Sequence, residues 1–153
     1  MANPDSVAQY YLDSFGNGRI GSAQSVSLAT VGNVTATIPI LVGGLTNTGN
    51  VTGSGAVIVR RITANNPTGN VSGAYVTITT SNDGNASNAV VANVALSNLT
   101  SAGKYQDLTI ASPYSTSSAI TGNQTQALFV NVTTASGNSN LVSFQVYGDV
   151  VTF

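Results

Sequence analysis

Along the segment 141–147, Val142, Phe144 and Val146 fall on one side of an extended chain, with Ser143 and Gln145 on the other. The same period of two runs through 127–134, where Leu128, Val130 and Val132 oppose Asn131 and Thr133. It recurs in 74–80, where Val76 and Ile78 oppose Tyr75, Thr77 and Thr79. Successive side chains of a strand point to opposite faces, so this spacing belongs to sheets covered on one side. Further strands are predicted at 25–30, 34–42, 56–63, 90–96 and 104–110, with a last stretch at 149–153. Between them lie Gly/Asn/Ser clusters such as Asn65-Asn66-Pro67-Thr68-Gly69-Asn70, Asn82-Asp83-Gly84-Asn85 and Ser136-Gly137-Asn138, residues that tolerate turn geometry. No segment offers a long amphipathic helix.

Eight or nine such strands bury their apolar faces when two sheets pack face to face. The expected fold class is therefore all-β: a single antiparallel β-sandwich, jelly-roll-like, over residues 25–153, preceded by an N-terminal arm at 1–24. Most connections exceed a two-residue hairpin, which favours loops crossing between sheets. Pro39 lacks the amide hydrogen that a central strand needs, so 34–42 is expected to be bulged or to lie at an edge. The glycine-rich stretch 42–55 reads as a projecting loop.

Function is constrained by what is missing. The chain has no His, Cys, Glu or Trp, and its charges are Arg19, Arg60, Arg61, Lys104, Asp5, Asp13, Asp83, Asp107 and Asp149. General acid–base and nucleophilic catalysis draw on a short list of side chains, most of which are absent. No enzyme is expected, and no cofactor or metal site: a thiolate site is excluded, and Asp83 is the sole carboxylate of the loop 81–88. Nucleic acid is not an expected partner, because phosphate binding needs clustered cations. No apolar run approaches the length of a membrane helix, and the first residues lack the pattern of a signal peptide. Ser, Thr and Asn supply 54 of 153 residues. Their surface hydrates well without repelling its copies, which suits a molecule that works within an assembly. The same abundance generates the seven N-x-[ST] tripeptides, at Asn33, Asn50, Asn70, Asn85, Asn98, Asn123 and Asn131, by chance.

The candidate contacts follow from scarcity. Tyr10, Tyr11, Leu12 and Phe15 lie close together in the arm, flanked by Gly16 and Gly18, as interface anchors would. Arg60 and Arg61 end a strong apolar run, so they point to opposite faces unless the strand is bulged. At least one of them is expected to contact a neighbouring chain, with Asp107 and Asp149 as the candidate partners. Lys104 and Asp107 read as a surface ion pair. Tyr75, Tyr105, Tyr114 and Tyr147 raise the alternative of a carbohydrate- or receptor-binding module of a tail or fibre, though such sites often add Trp and carboxylates.

The stretches GNVSGAYVTITTSNDGN (69–85), LTSAGKYQDLTIASPY (99–114) and LFVNVTTASGNSNLVSFQVYGDVV (128–151) resemble, in style, the head decoration or capsid cement proteins of tailed bacteriophages. The resemblance covers 34–153. It implies a compact β-rich body, often trimeric, on the outer capsid surface, bridging subunits of the major capsid protein after assembly in the host cytoplasm. It brings no catalytic residues.

Overall fold

The structure, a computed structural model, describes residues 18–40, 55–111, 120–121 and 127–152. It contains strands β1 (Gly18–Ser27), β2 (Gly32–Pro39), β3 (Gly55–Asn65), β4 (Tyr75–Thr79), β5 (Ala89–Ala95), β6 (Tyr105–Leu108), β7 (Ile120–Thr121), β8 (Ala127–Thr134) and β9 (Leu141–Thr152). A single 3-10 turn, Ala86–Asn88, is the only helical element among the described residues. The strands form two antiparallel sheets packed as a sandwich, in the order β1-β9-β3-β6 for one (sheet A) and β2-β8-β4-β5 for the other (sheet B). The two residues of β7 pair with the start of β3.

The pairings nest. β1 pairs with β9, β2 with β8, β3 with β6 and β4 with β5, as in one long hairpin whose tip is the β4–β5 turn. Rolling that hairpin brings β9 against β3 and β8 against β4, and these two ladders complete the sheets. The inward faces are those the alternation marks: Val76, Ile78, Val130, Val142, Phe144 and Val146 are fully buried. Removing a side chain such as Phe144 from water contributes on the order of 3 kcal/mol.

The all-β sandwich expected from the sequence is thus what the chain forms, with one correction at its start. β1 begins at Gly18, so residues 18–24 belong to the sandwich and not to an arm. Bulges interrupt β1 between Arg19 and Gly21 and between Ala23 and Val26. They space the buried residues Ile20, Ala23 and Val26 three apart, which hides the period of two. At the other end, β9 runs on through Gly148 to Thr152, joining the two segments predicted at 141–147 and 149–153. Pro39 ends β2, an edge strand with a bulge between Gly32 and Ala36, as its missing amide hydrogen requires. The stretch 42–55 lies outside the described residues up to Gly55, the first residue of β3.

Gly148 marks the tightest approach in sheet A. A Cβ there would fall inside the radius of the Ile58 carbonyl oxygen, a backbone atom that cannot swing away. Gly73, by contrast, has nothing within 4 Å of such a Cβ. Chemical denaturation should therefore show Gly148→Ala destabilised by about 3 kcal/mol, the upper range for overpacking. Gly73→Ala should change stability by less than about 1 kcal/mol.

Candidate functional site

The outer face of sheet A collects most of the chain's charge. In β3, Val59 pairs with Gly148 and Arg61 with Tyr147, so Arg60 is an extra, bulged residue. Val59 and Ile62 turn into the core, and the bulge leaves both arginines on the solvent side. Arg60 Nε donates to Asp149 Oδ2 at 3.0 Å, across to β9. Arg61 holds Asp107 of β6 with two bonds, Nε to Oδ1 at 2.8 Å and Nη2 to Oδ2 at 3.1 Å. The two acids expected as partners are the partners found, but each pair closes within one chain. No neighbouring chain is needed to neutralise either arginine. Asp107, read from sequence beside Lys104, is held instead by an arginine distant in sequence. Tyr147 Oη donates to Gln145 Oε1 on the same face.

The outer face of sheet B carries a buried polar lock. Thr79 and Asn131 are 0% and 3% exposed although they alternate with core residues. Val34 N–H donates to Asn131 Oδ1 at 2.7 Å, Asn131 Nδ2 donates to Thr79 Oγ1 at 3.0 Å, and Thr79 Oγ1 donates to the Ser81 carbonyl at 2.7 Å. Val34 pays for this with φ of 54°, a strained value for a β-branched residue. Nearby, Asp83 Oδ1 accepts from Ser81 Oγ and from Asn85 N–H. These bonds, the Ser81 hydroxyl foremost, lower its pKa from the ordinary 3.8. The loop is thus a turn built on its own carboxylate. Among the described residues, no group of three or more His, Cys, Asp or Glu is placed to hold a metal ion.

At one end of the sandwich, four loops cross from sheet to sheet side by side: 28–31, 135–140, 66–74 and 96–104. Each is bonded to the next. Ser136 N–H donates to the Leu28 carbonyl at 2.8 Å. Asn138 Nδ2 and Asn140 Nδ2 donate to the Asn70 carbonyl at 2.7 and 3.1 Å. Val71 N–H donates to the Leu99 carbonyl at 2.9 Å, and Leu96 N–H to that of Ala74 at 3.0 Å. The last crossover leads into β6, where buried Gln106 accepts from Asn98 N–H and donates to the Ala95 carbonyl. The result is a hydrogen-bonded roof whose one ionisable side chain is Lys104. Val31 and Tyr105, 64% and 63% exposed, flank it at opposite margins.

Of the residues singled out from sequence, Arg60 and Arg61 lie together on sheet A, while Tyr10, Tyr11, Leu12 and Phe15 lie outside the described residues. Tyr75 projects from the outer face of sheet B, Tyr105 and Tyr147 from that of sheet A on β6 and β9 with β3 between them, and Tyr114 lies outside the described residues, so the described tyrosines form no shared stacking platform. The roof was not anticipated; only its Asn/Gly turn clusters signalled it. Compared with protein-family profiles, with curated proteins and with solved structures, the chain matches none.

Four outcomes follow for stability. Asn131→Ala should cost about 2–3 kcal/mol in denaturant melts, because it orphans the Val34 amide. Val34→Asn, a residue at ease with positive φ, should gain up to about 1 kcal/mol. A double-mutant cycle on Arg60 and Asp149, both about half exposed, should give a coupling below about 1 kcal/mol that fades with salt. Arg61 and Asp107 should couple more strongly, since Arg61 is only 19% exposed and the pair is bidentate.

Proposed function

We propose that this chain is a non-enzymatic structural protein of a virion, a decoration or cement protein that attaches to the outer surface of a phage head. In this reading it stabilises contacts between subunits of the major capsid protein. The observation that carries the reading is the nested roll of eight strands. We read its order, β1-β9-β3-β6 over β2-β8-β4-β5 with β7 as an insertion, as a jelly roll, an architecture much used in viral capsids and also in lectins. The chemistry supports a structural role. Asp107 and Asp149 are occupied by arginines, and Asp83 shapes its own loop, so these ionisable groups serve the fold.

A cement protein gains from a rigid, weakly charged body, because desolvating charge across a seam is costly. The sparse charge also lets copies approach one another, and we propose a homotrimer formed through an outer sheet face bearing Thr, Asn and Tyr. Sheet B fits that description, with Thr37, Tyr75, Asn93 and Thr133 exposed. The residues Tyr10, Tyr11, Leu12 and Phe15 are proposed to contact another chain.

Heads purified without the protein should take up the full chain to a saturating number of copies and resist heat better once loaded. Sedimentation of the isolated protein should give a trimer. A chain beginning at Gly18, which leaves β1 whole, should fold but lose trimer formation or attachment. Absence of head binding by the full chain, together with strong binding to a glycan panel, would replace this reading with a carbohydrate-binding tail or fibre module.

A further inference from the structure

We infer that the four-loop roof is the surface that docks on the shell, and that its occupant is a weakly charged protein surface. The inference rests on the proposed function above and adds which part of the molecule makes the contact.

Three observations converge on the roof. First, it is pre-organised. Each crossover is tied to its neighbour by hydrogen bonds, through Ser136 to Leu28, Asn138 and Asn140 to Asn70, and Val71 to Leu99. Ordering these loops is therefore completed on folding and does not weaken binding. Second, it is almost free of charge. The outer face of sheet A bears Arg19, Arg60, Arg61, Asp107 and Asp149, while the roof bears Lys104 alone, at its rim beside Tyr105. Charge depleted from the centre with an aromatic at hand is the composition of protein interfaces. Third, among the described residues the two most exposed large hydrophobic side chains, Val31 and Tyr105, stand at its two margins. Val31, within the first crossover, can seat in a shallow apolar depression of the partner, and Tyr105, on the sheet A side where the last crossover ends, can close the rim.

The size of the roof sets the strength of the contact. Four crossovers about 4.8 Å apart, spanning sheets about 10 Å apart, give a footprint of roughly 15 by 10 Å between strand axes. Side chains widen this to several hundred Å², below the roughly 800 Å² per partner of a standard stable interface. One roof alone binds weakly. A trimer presenting three roofs to symmetric positions on a shell binds through the high effective concentration of the second and third contacts. A neutral glycan is a poorer fit, because Tyr75 and Tyr105 face opposite ways and form no stacking platform.

The test uses the full chain and heads of the encoding phage freed of this protein. Ser101→Glu and Ser139→Glu place a carboxylate on exposed roof positions for which no side-chain hydrogen bond is lost. Tyr105→Ala removes the rim anchor. Each should lower occupancy of the heads by tenfold or more at a fixed concentration, while circular dichroism and sedimentation match the parent. Thr109→Glu on the sheet A side and Asn82→Glu at the opposite end should leave occupancy within twofold of the parent. Parent binding with undiminished binding by all three roof variants would overturn the roof as the docking surface and leave the proposed function standing. Failure of the parent itself to bind heads would overturn both. Binding of a neutral oligosaccharide by the parent that is lost in the roof variants would reassign the roof to a glycan.

Discussion

The ladder between β3 and β9, running from Gly55↔Thr152 to Asn65↔Ser143 through one bulge, is the interaction on which the rest of the molecule depends. Without it the chain would be a long hairpin: β1 with β9 at the open end, β4 with β5 at the tip. With it, the outer ribbon folds onto the inner one and sheet A becomes continuous. The β4–β8 ladder does the same for sheet B, but over fewer residues. The β3–β9 contact is also where the backbones crowd, at Gly148 against Ile58, and where β3 bulges at Arg60. These features belong together. The close approach demands a residue without a side chain in β9, and the bulge next to it absorbs the change in register.

The bulge has an electrostatic consequence. In a regular strand, adjacent arginines would face opposite ways, and one guanidinium would be driven into an apolar core at a cost of several kcal/mol unless paired. One inserted residue turns both outward. The flanking strands then supply one carboxylate each, Asp149 from β9 and Asp107 from β6, so signs alternate across that part of the sheet. Charge is scarce in this chain, yet most of what the described residues hold is gathered on one face, where both carboxylates are paired with arginines. That leaves sheet B and the roof nearly neutral.

What could be read in the sequence was whatever obeys a regular period. β8 and β9 alternate cleanly, and their buried residues Val130, Val132, Phe144 and Val146 were legible from spacing alone. β1 was not, since its two bulges set Ile20, Ala23 and Val26 three apart. The polar lock was equally hidden. Thr79 and Asn131 look like solvent-facing positions of half-buried strands, and their partners, Val34 in the bulge of β2 and Ser81 in the turn after β4, are set by tertiary structure. Asp107 and Asp149 could be named as candidate partners of the arginines because they are the acids nearest to strand ends. That the pairs would close within the chain needed the register of three strands, which no local pattern contains. The roof depends on which loops become neighbours, a property of topology rather than of any one segment.

A protein with so little charge must protect its sheet edges by other means, since electrostatic repulsion does not keep copies from pairing strand to strand. Each exposed boundary shows such a device. β2 ends in Pro39 and carries the Val34 bulge; β1 has two bulges and is bridged to Ile40 at Gly21. Val90 of β5 gives its carbonyl to Ala111 N–H, so the returning chain occupies part of that edge. β6 is only four residues long. With backbone edges blunted in these ways, what the described residues leave open to a partner is surface made of side chains and tied loops. In the docking proposed above, a neutral, pre-bonded end is a safer contact than a strand edge, because it can match one partner's shape without offering a template on which copies could add indefinitely.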